Sequence, residues 1–334
     1  MPEKALIRRI ARQAGTSSLA AASKANTRVR KANTPSRVAA LLRGIGDDCA
    51  VIRLPVGYEG LITTDFSLEG IHFRRDWHPP ESVGHRCLAR GLSDIAAMGG
   101  EPVAAFLSLA LPPDLPQRWV DRFLKGFLAL AKRFGVPLAG GDTAQSRAGV
   151  LADVMVLGGA PRGKAVLRSG ARPGDFLYVT GELGGAARLL SSLLSGRVKK
   201  PQPRRFPAHF FPVPRIAAGR ELRERKLATA MIDISDGLST DLHHLCDESD
   251  VGTCIYADRV PAAGGRANLR FALHGGDDYE LLFACRRNLP GRIAGVKVTC
   301  IGEITRRRRI VLVDGGKEKD LPAGGWEHFG GSKK

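Results

Sequence analysis

Acidic residues in this chain gather in six short motifs, most of them beside glycine: GIGDDCAVI (44–52), TTDF (63–66), GLSDIAAMGG (91–100), AGGDT (139–143), MIDISDGL (231–238) and HGGDDYELLF (274–283). Paired carboxylates at strand ends repel one another unless cations neutralise them, and hard divalent ions bind through oxygen ligands of this kind. Neighbouring glycines let backbone amides come close to phosphate oxygens. The combination points to Mg²⁺ ions holding a nucleotide triphosphate.

Taken singly, several of these residues have plainer readings. Asp47 and Asp48 can shape a turn, and Asp236 can be the N-cap of the helix that follows it. Asp94 differs, because it lies in a helical, otherwise apolar stretch where a charge is costly unless something pairs with it. His72 has no partner at metal-ligand spacing and by itself reads as a surface or core histidine. Trp326 by itself reads as a packing residue. GGAPRGKA (158–165) nearly matches the phosphate-binding pattern GxxxxGK[ST], but Ala165 lacks the hydroxyl that binds Mg²⁺. A Gly/Pro-rich segment follows it where a helix is needed, so it is set aside. Protein-kinase signatures are absent.

These motifs need a scaffold of mixed elements. CAVIRL, GLITTDF, AAFLSLAL, VPLAGG and VLADVMVLGG read as strands, and residues 81–98 and 114–134 read as helices. PRGKAVLRSGARPGD reads as a linker from a first domain, 1–160, into a second, 161–334. In the second, DFLYVTG, ATAMIDIS, GTCIYADRV, DYELLFAC and VKVTCIGEI read as strands, with helices near 184–195, 214–225 and 236–249. The fold class is α+β.

The 334 residues are 43% hydrophobic and 25% charged, which excludes wholesale disorder. The strongest apolar run, 103–111, is far short of the roughly 18 residues a membrane helix needs. Net charge is +18, but it is concentrated in three places. Residues 1–43 carry ten Lys/Arg against one acid, 197–205 carry five, and 306–309 is RRRR; the remaining chain is balanced. Charge in a leader and two loops makes a poor nucleic-acid groove, and no RNA-binding or zinc-finger pattern accompanies it. A flexible insert is expected over 14–36. The six cysteines form no CxxC pair and read as buried free thiols of a cytoplasmic protein.

In order along the chain, GIGDD, TTDFSLEGIHF, LSDIAAMGG, GGDT, RSGARPGD, MIDISDGL, GGDDYELLF and GGWEHF resemble the thiamine-monophosphate kinases, a likeness running over 5–329. That family belongs to the ATP-binding superfamily of aminoimidazole ribonucleotide synthetase. The resemblance implies an N-terminal domain that dimerises, a C-terminal α/β domain, ATP at their junction and several Mg²⁺ ions. It makes Asp48, Thr64, Asp65, Asp94, Asp142, Asp233 and Asp236 metal ligands. Gly141, Asp142, Arg168 and Ser235 then contact ATP, and His72, Asp277 and Trp326 face thiamine monophosphate.

The reaction implied is transfer of the γ-phosphoryl group of ATP directly to thiamine monophosphate. Phosphoryl transfer asks for positioning and charge neutralisation, so no protein nucleophile is required. Two departures from the family pattern carry expectations. Asp277 stands where Glu is usual, one methylene shorter toward the substrate. Gly91 replaces an Asn one turn before Asp94, which removes a polar side chain and weakens the helix that holds the carboxylate. The alternatives are another ATP-dependent synthetase of the superfamily, or a basic nucleic-acid-binding protein.

Overall fold

The computed structural model describes residues 3–14, 40–45 and 49–328. Asp48, Asp47 and nearly all of the expected 14–36 insert lie outside the described residues. The chain divides into two compact units, 1–95 with 101–163, and 96–100 with 164–334. The five residues 96–100 thus group with the second unit, although the chain on either side of them belongs to the first. Within that second unit, the Val166 amide donates to the Met98 carbonyl, 2.9–3.0 Å being the usual range and 3.0 Å the distance here.

Six strands build the first unit: β1 (Ala40–Arg43), β2 (Val51–Arg53), β3 (Tyr58–Leu68), β4 (Glu101–Leu111), β5 (Leu138–Gln145) and β6 (Leu151–Pro161). The first two form a small antiparallel pair, and the other four form a sheet in the order β3-β6-β4-β5. The alternation in VLADVMVL reads directly as a one-sided strand: Ala152, Val154 and Val156 are fully buried, whereas Leu151, Asp153, Met155 and Leu157 are half-buried. On the buried face lies the helix Pro80–Ala97, and Ile95 comes within van der Waals reach of β6 at Gly158. The helix Gln117–Phe134 packs beside it so tightly that a Cβ on Gly84 would stand 2.0 Å from the Phe123 carbonyl oxygen. On the other face of β3, Ile62 is 68% and Phe66 57% exposed.

The second unit adds β7 (Phe176–Thr180), β8 (Ala228–Ile234), β9 (Gly252–Tyr256), β10 (Glu280–Cys285), β11 (Arg292–Ile293), β12 (Val296–Thr305), β13 (Ile310–Asp314) and β14 (Lys317–Asp320). Their sheet runs β14-β13-β9-β12-β7-β10-β8, with β11 paired to β12. Every residue of β10 is buried, as the continuous apolar run LLFAC requires of a strand covered on both faces. One face packs Leu177, Val179, Ile232 and Leu282 with Leu238, Leu242 and Leu245 of the helix Leu238–Ser249. The other packs Tyr178, Met231, Leu281 and Phe283 with Ala218 and Leu222 of the helix Ile216–Glu224.

Residues 158–165 fold as the end of β6 and a turn with no helix after it, which is incompatible with a phosphate-binding loop. In 306–309, Arg308 pairs with Asp250, and Arg309 pairs with Asp320 at 2.7 Å, so half of that basic run meets acids of its own surface. Among the described residues no helix is long and apolar enough to cross a membrane.

Candidate active site

In the first unit the register of the sheet distributes the expected ligands. Asp65 on β3 stands opposite Val154, Val154 opposite Leu107, and Leu107 opposite Gly141 on β5. Asp65 and Gly141 therefore share one row but sit on opposite edges of the sheet, roughly 14 Å apart at three strand spacings. Thr64 is exposed and, by the pleat, projects from the face opposite to Asp65, so the two side chains are not brought together. Asp142 is exposed, and its Oδ1 accepts the Thr143 amide at 2.8 Å. A cavity of about 600 Å³ opens beside it, lined by Ile7, Ile10, Cys49, Phe106, Gly141 and Asp142 among others.

Gly141 has a reason that the sequence does not reveal. Its φ is +147°, and a Cβ there would lie 1.8 Å from the Leu107 carbonyl oxygen, so glycine is required by the neighbouring strand. β5 also runs on through GGDT, where glycines alone would argue against a strand.

Asp94 accepts a hydrogen bond from the Thr63 hydroxyl, which supplies the partner that its apolar helix demanded. Thr63 lies on the same face of β3 as Asp65, two residues earlier. This geometry corrects the expectation for Gly91. The helix comes so close to the sheet there that a Cβ on residue 91 would stand 2.7 Å from Val156 Cγ2 and 3.6 Å from Thr63 Cγ2. Glycine brings the helix down onto β3, and Thr63 then takes hold of the carboxylate. His72 is half-buried just after β3, and its Nδ1 accepts the Leu68 amide at 3.0 Å. In the neutral ring that bond puts the proton on Nε2.

The second unit draws its expected residues into one place. Asp233 is buried at the end of β8, and the turn Ser235–Gly237 leads into the helix Leu238–Ser249. Asp236 is not the N-cap of that helix; Gly237 occupies the position, without a side-chain cap. The work falls to Asp241, four residues further on, whose Oδ2 accepts the amides of Ser235, Asp236 and Gly237 at 3.1, 3.1 and 3.0 Å.

The segment 277–279 lies across the same turn. The Asp277 amide donates to Ser235 O and the Tyr279 amide to Ile234 O, both at 2.8 Å. Asp277 and Tyr279 have φ of +67° and +53°, a conformation that costs a side-chain-bearing residue about 1–3 kcal/mol and persists only when its surroundings enforce it. The enforcement is visible. The Tyr279 hydroxyl donates to Asp277 Oδ1 at 2.6 Å, and the buried Asp278 accepts the Gly184 amide at 2.7 Å. Glu280 is clamped by Arg215 and by the Thr180 hydroxyl.

The C-terminal motif is tied in as well. The Trp326 amide donates to Asp236 O at 2.9 Å, the Gly325 amide to Thr240 Oγ1 at 3.0 Å and the Gly324 amide to Ser239 Oγ at 3.2 Å. Trp326 remains 50% exposed, with His328 edge-on to its ring, so it is no core residue. Burial pushes the Asp236 carboxyl up, helped by Asp277, and outweighs the lowering by His244, His328 and the exposed Arg168. For Asp241, burial, then Asp233 and Asp236, push the carboxyl up to about 8 against the pull of its amide donors. Asp236, Asp241 and His244 bring ligand atoms within 4.8 Å of one another. Asp241 and His244 were missed at the sequence level. The available signal was an acid on the apolar stripe of Leu238, Leu242 and Leu245.

Two family models match the chain: AIR synthase related protein, N-terminal domain, over residues 46–160, and AIR synthase related protein, C-terminal domain, over 172–315. Thiamine-monophosphate kinase of Escherichia coli (strain K12) is 36% identical over 305 residues, spanning 86% of this chain and 91% of that one. The chain belongs to the thiamine-monophosphate kinase family. Among solved structures, the family member from Stenotrophomonas maltophilia K279a superposes with a TM-score of 0.74 at 31% identity, covering 84% of this chain and 92% of that one. AaThiL complexed with AMPPCP and TMP gives 0.72 at 32% identity, with 82% and 88% covered. The two-domain aminoimidazole ribonucleotide synthetase-like fold is thereby established for this member of the family.

Proposed function

We propose that this chain transfers the γ-phosphoryl group of ATP to thiamine monophosphate, giving thiamine diphosphate and ADP, with Mg²⁺ as the metal. The observation that carries the reading is the family match over 86% of the chain, joined to a structural likeness to a relative complexed with AMPPCP and TMP. The donor set fits a hard divalent ion: the proposed ligands offer only oxygen, and Asp236 sits where burial and a neighbouring carboxylate disfavour its charge. The residues that would hold the ions are Asp65 and Asp94 in the first unit, Asp233 and Asp236 in the second, and Asp48 outside the described residues; Asp142 and Thr64 would serve from elsewhere on the first unit's sheet, since Thr64 faces away from Asp65. Bound Mg²⁺ would neutralise the phosphates so that two anions can approach.

The chain's own groups then position the reactants. Arg168, Ser235, Gly141 and Asp142 are assigned to ATP. His72 is assigned to the substrate phosphate, Trp326 offers an aromatic face to the organic part of the substrate, and Asp277 lies beside it at the same turn. The acceptor phosphate is already ionised at neutral pH, so no general base is called for.

A homodimer belongs to this reading. It is supported by the exposed Ile62 and Phe66 on an otherwise well-packed sheet, and by edge strands β3 and β5 that each carry proposed ligands. Six free cysteines, three of them buried, accord with a cytoplasmic location.

Incubation with ATP, Mg²⁺ and a panel of phosphate monoesters, followed by phosphorus NMR, tests the reaction. A new diphosphate is expected from thiamine monophosphate and is abolished by EDTA; phosphorylation of a different monoester alone would overturn the assignment. Light scattering tests the dimer: Phe66→Glu should shift the mass toward the monomer, and a monomeric parent would refute it.

A further inference from the structure

A glycine-containing turn that opens a helix ordinarily offers its free amides to an anion, and Ser235-Asp236-Gly237 before the helix Leu238–Ser249 has that form. Here the amides are already engaged. All three converge on Oδ2 of Asp241, a residue 2% exposed that reaches back from the helix's own first turn. The other atoms of the turn are then turned outward or committed. The Ser235 carbonyl takes the Asp277 amide and the Asp236 carbonyl takes the Trp326 amide. The side chains of Ser235 and Asp236 are only half-buried.

We infer that Asp241 is a positioning residue that occupies the anion-binding amides of this turn, so that the turn meets a nucleotide through its side chains and their cations and not through its backbone. An internal carboxylate thus substitutes for a phosphate at the helix start. It sets the direction of three consecutive peptide groups and, through them, the spacing of Asp233 from Asp236. The consequence for recognition is that polyphosphate without a divalent ion finds no amide cradle here, and the site distinguishes a metal-complexed polyphosphate from a bare one. The metal-dependent half of this statement rests on the reading of Asp233 and Asp236 as cation ligands; the amide half does not.

The test is hydrogen exchange of the amides of residues 235–237, measured by NMR or mass spectrometry on the full chain. In the parent they should exchange slowly without nucleotide or metal, and inorganic tripolyphosphate in EDTA should leave their rates and resonances unchanged. Asp241→Asn should keep a cooperative melt while speeding their exchange by about tenfold or more, because one of the two buried acceptor oxygens is replaced by an NH₂ that cannot accept. It should also raise the Mg²⁺ concentration for half-maximal activity by about 10-fold, the lower end of what outer-shell partners of metal ligands contribute. Parent amides that respond to tripolyphosphate in EDTA, or a folded Asp241→Asn protein with parental exchange, would overturn the inference. Should the variant not fold, the tripolyphosphate experiment on the parent still decides. Faster exchange with no change in Mg²⁺ dependence would sustain the role of Asp241 and remove Asp233 and Asp236 from the metal site.

Discussion

The first unit spreads its proposed ligands over a helix and two edge strands of its sheet, whereas the second binds its own into a knot of main-chain hydrogen bonds. Asp94 takes a hydroxyl from Thr63 across the helix–sheet contact, and Asp142 takes the amide next to it. In the second unit, residues 233–241, 277–280 and 324–326 exchange amide and carbonyl bonds with one another, and side chains of Asp241, Thr240 and Ser239 close the gaps. A site assembled from scattered contacts is sensitive to each of them. One assembled from many spreads the loss, so equal chemical deletions should have unequal effects in the two units.

The largest effect should follow the loss of a ligand itself. Asp94→Asn should lower kcat by at least ~100-fold with the fold intact, since an anionic ligand is lost from a site that acts by electrostatic positioning. Near-normal turnover with an unchanged melting curve would sink that assignment. Next in size, Trp326→Ala should raise KM for thiamine monophosphate more than KM for ATP, by an amount worth ~1–3 kcal/mol. Equal changes in both would mark the indole as packing.

The comparison itself is sharpened by two isosteric deletions. Thr63→Val removes the hydroxyl that β3 donates to Asp94 and should lower kcat/KM about 10-fold, the worth of a hydrogen bond to a charged acceptor. Thr240→Val removes one of several ties on the segment 324–326, so kcat/KM should fall by less than about threefold. Equal losses in steady-state assays of the two variants would break the contrast between the units. The smallest effect is expected outside both sites. Deleting residues 14–36 should leave kcat/KM within about threefold of the parent at physiological ionic strength, where exposed charges beyond ~8 Å are largely screened. A tenfold loss would assign that segment to the site or to a subunit interface.

What the sequence disclosed of this arrangement was the identity of the motifs and the strands that carry them. One-sided strands such as β6 announce themselves by alternation, and the doubly covered β10 by its unbroken apolar run. The boundaries were less legible where local residues conflict. The helix expected from 114 begins at Gln117, because the chain turns at 113–114 and Pro116 is extended just before the helix. The strand expected over GTCIYADRV stops at Tyr256, where the chain turns at 257–259. Contacts between distant segments were not legible at all. Nothing near residue 94 names Thr63 as its partner, and nothing in ISDG names Asp241 as the acceptor of its amides. Such pairs are fixed by how closely a helix rides on a sheet, and that distance is set by residues such as Gly91, whose smallness alone has no direction.

The placement of residues 96–100 bears on how this protein can be taken apart. Those five residues begin with the last two of the helix Pro80–Ala97, precede a first-unit strand, and are nevertheless grouped with the second unit. A single cut in the 163–164 connection therefore does not yield two self-sufficient modules. The C-terminal fragment would lack a short piece of its own body, and the N-terminal fragment would carry that piece with nothing to receive it. Gene fusions, domain swaps between relatives and split-protein reporters that break the chain at that junction inherit the defect. A workable C-terminal module has to be supplied with residues 96–100 as a separate peptide or through a redesigned linker.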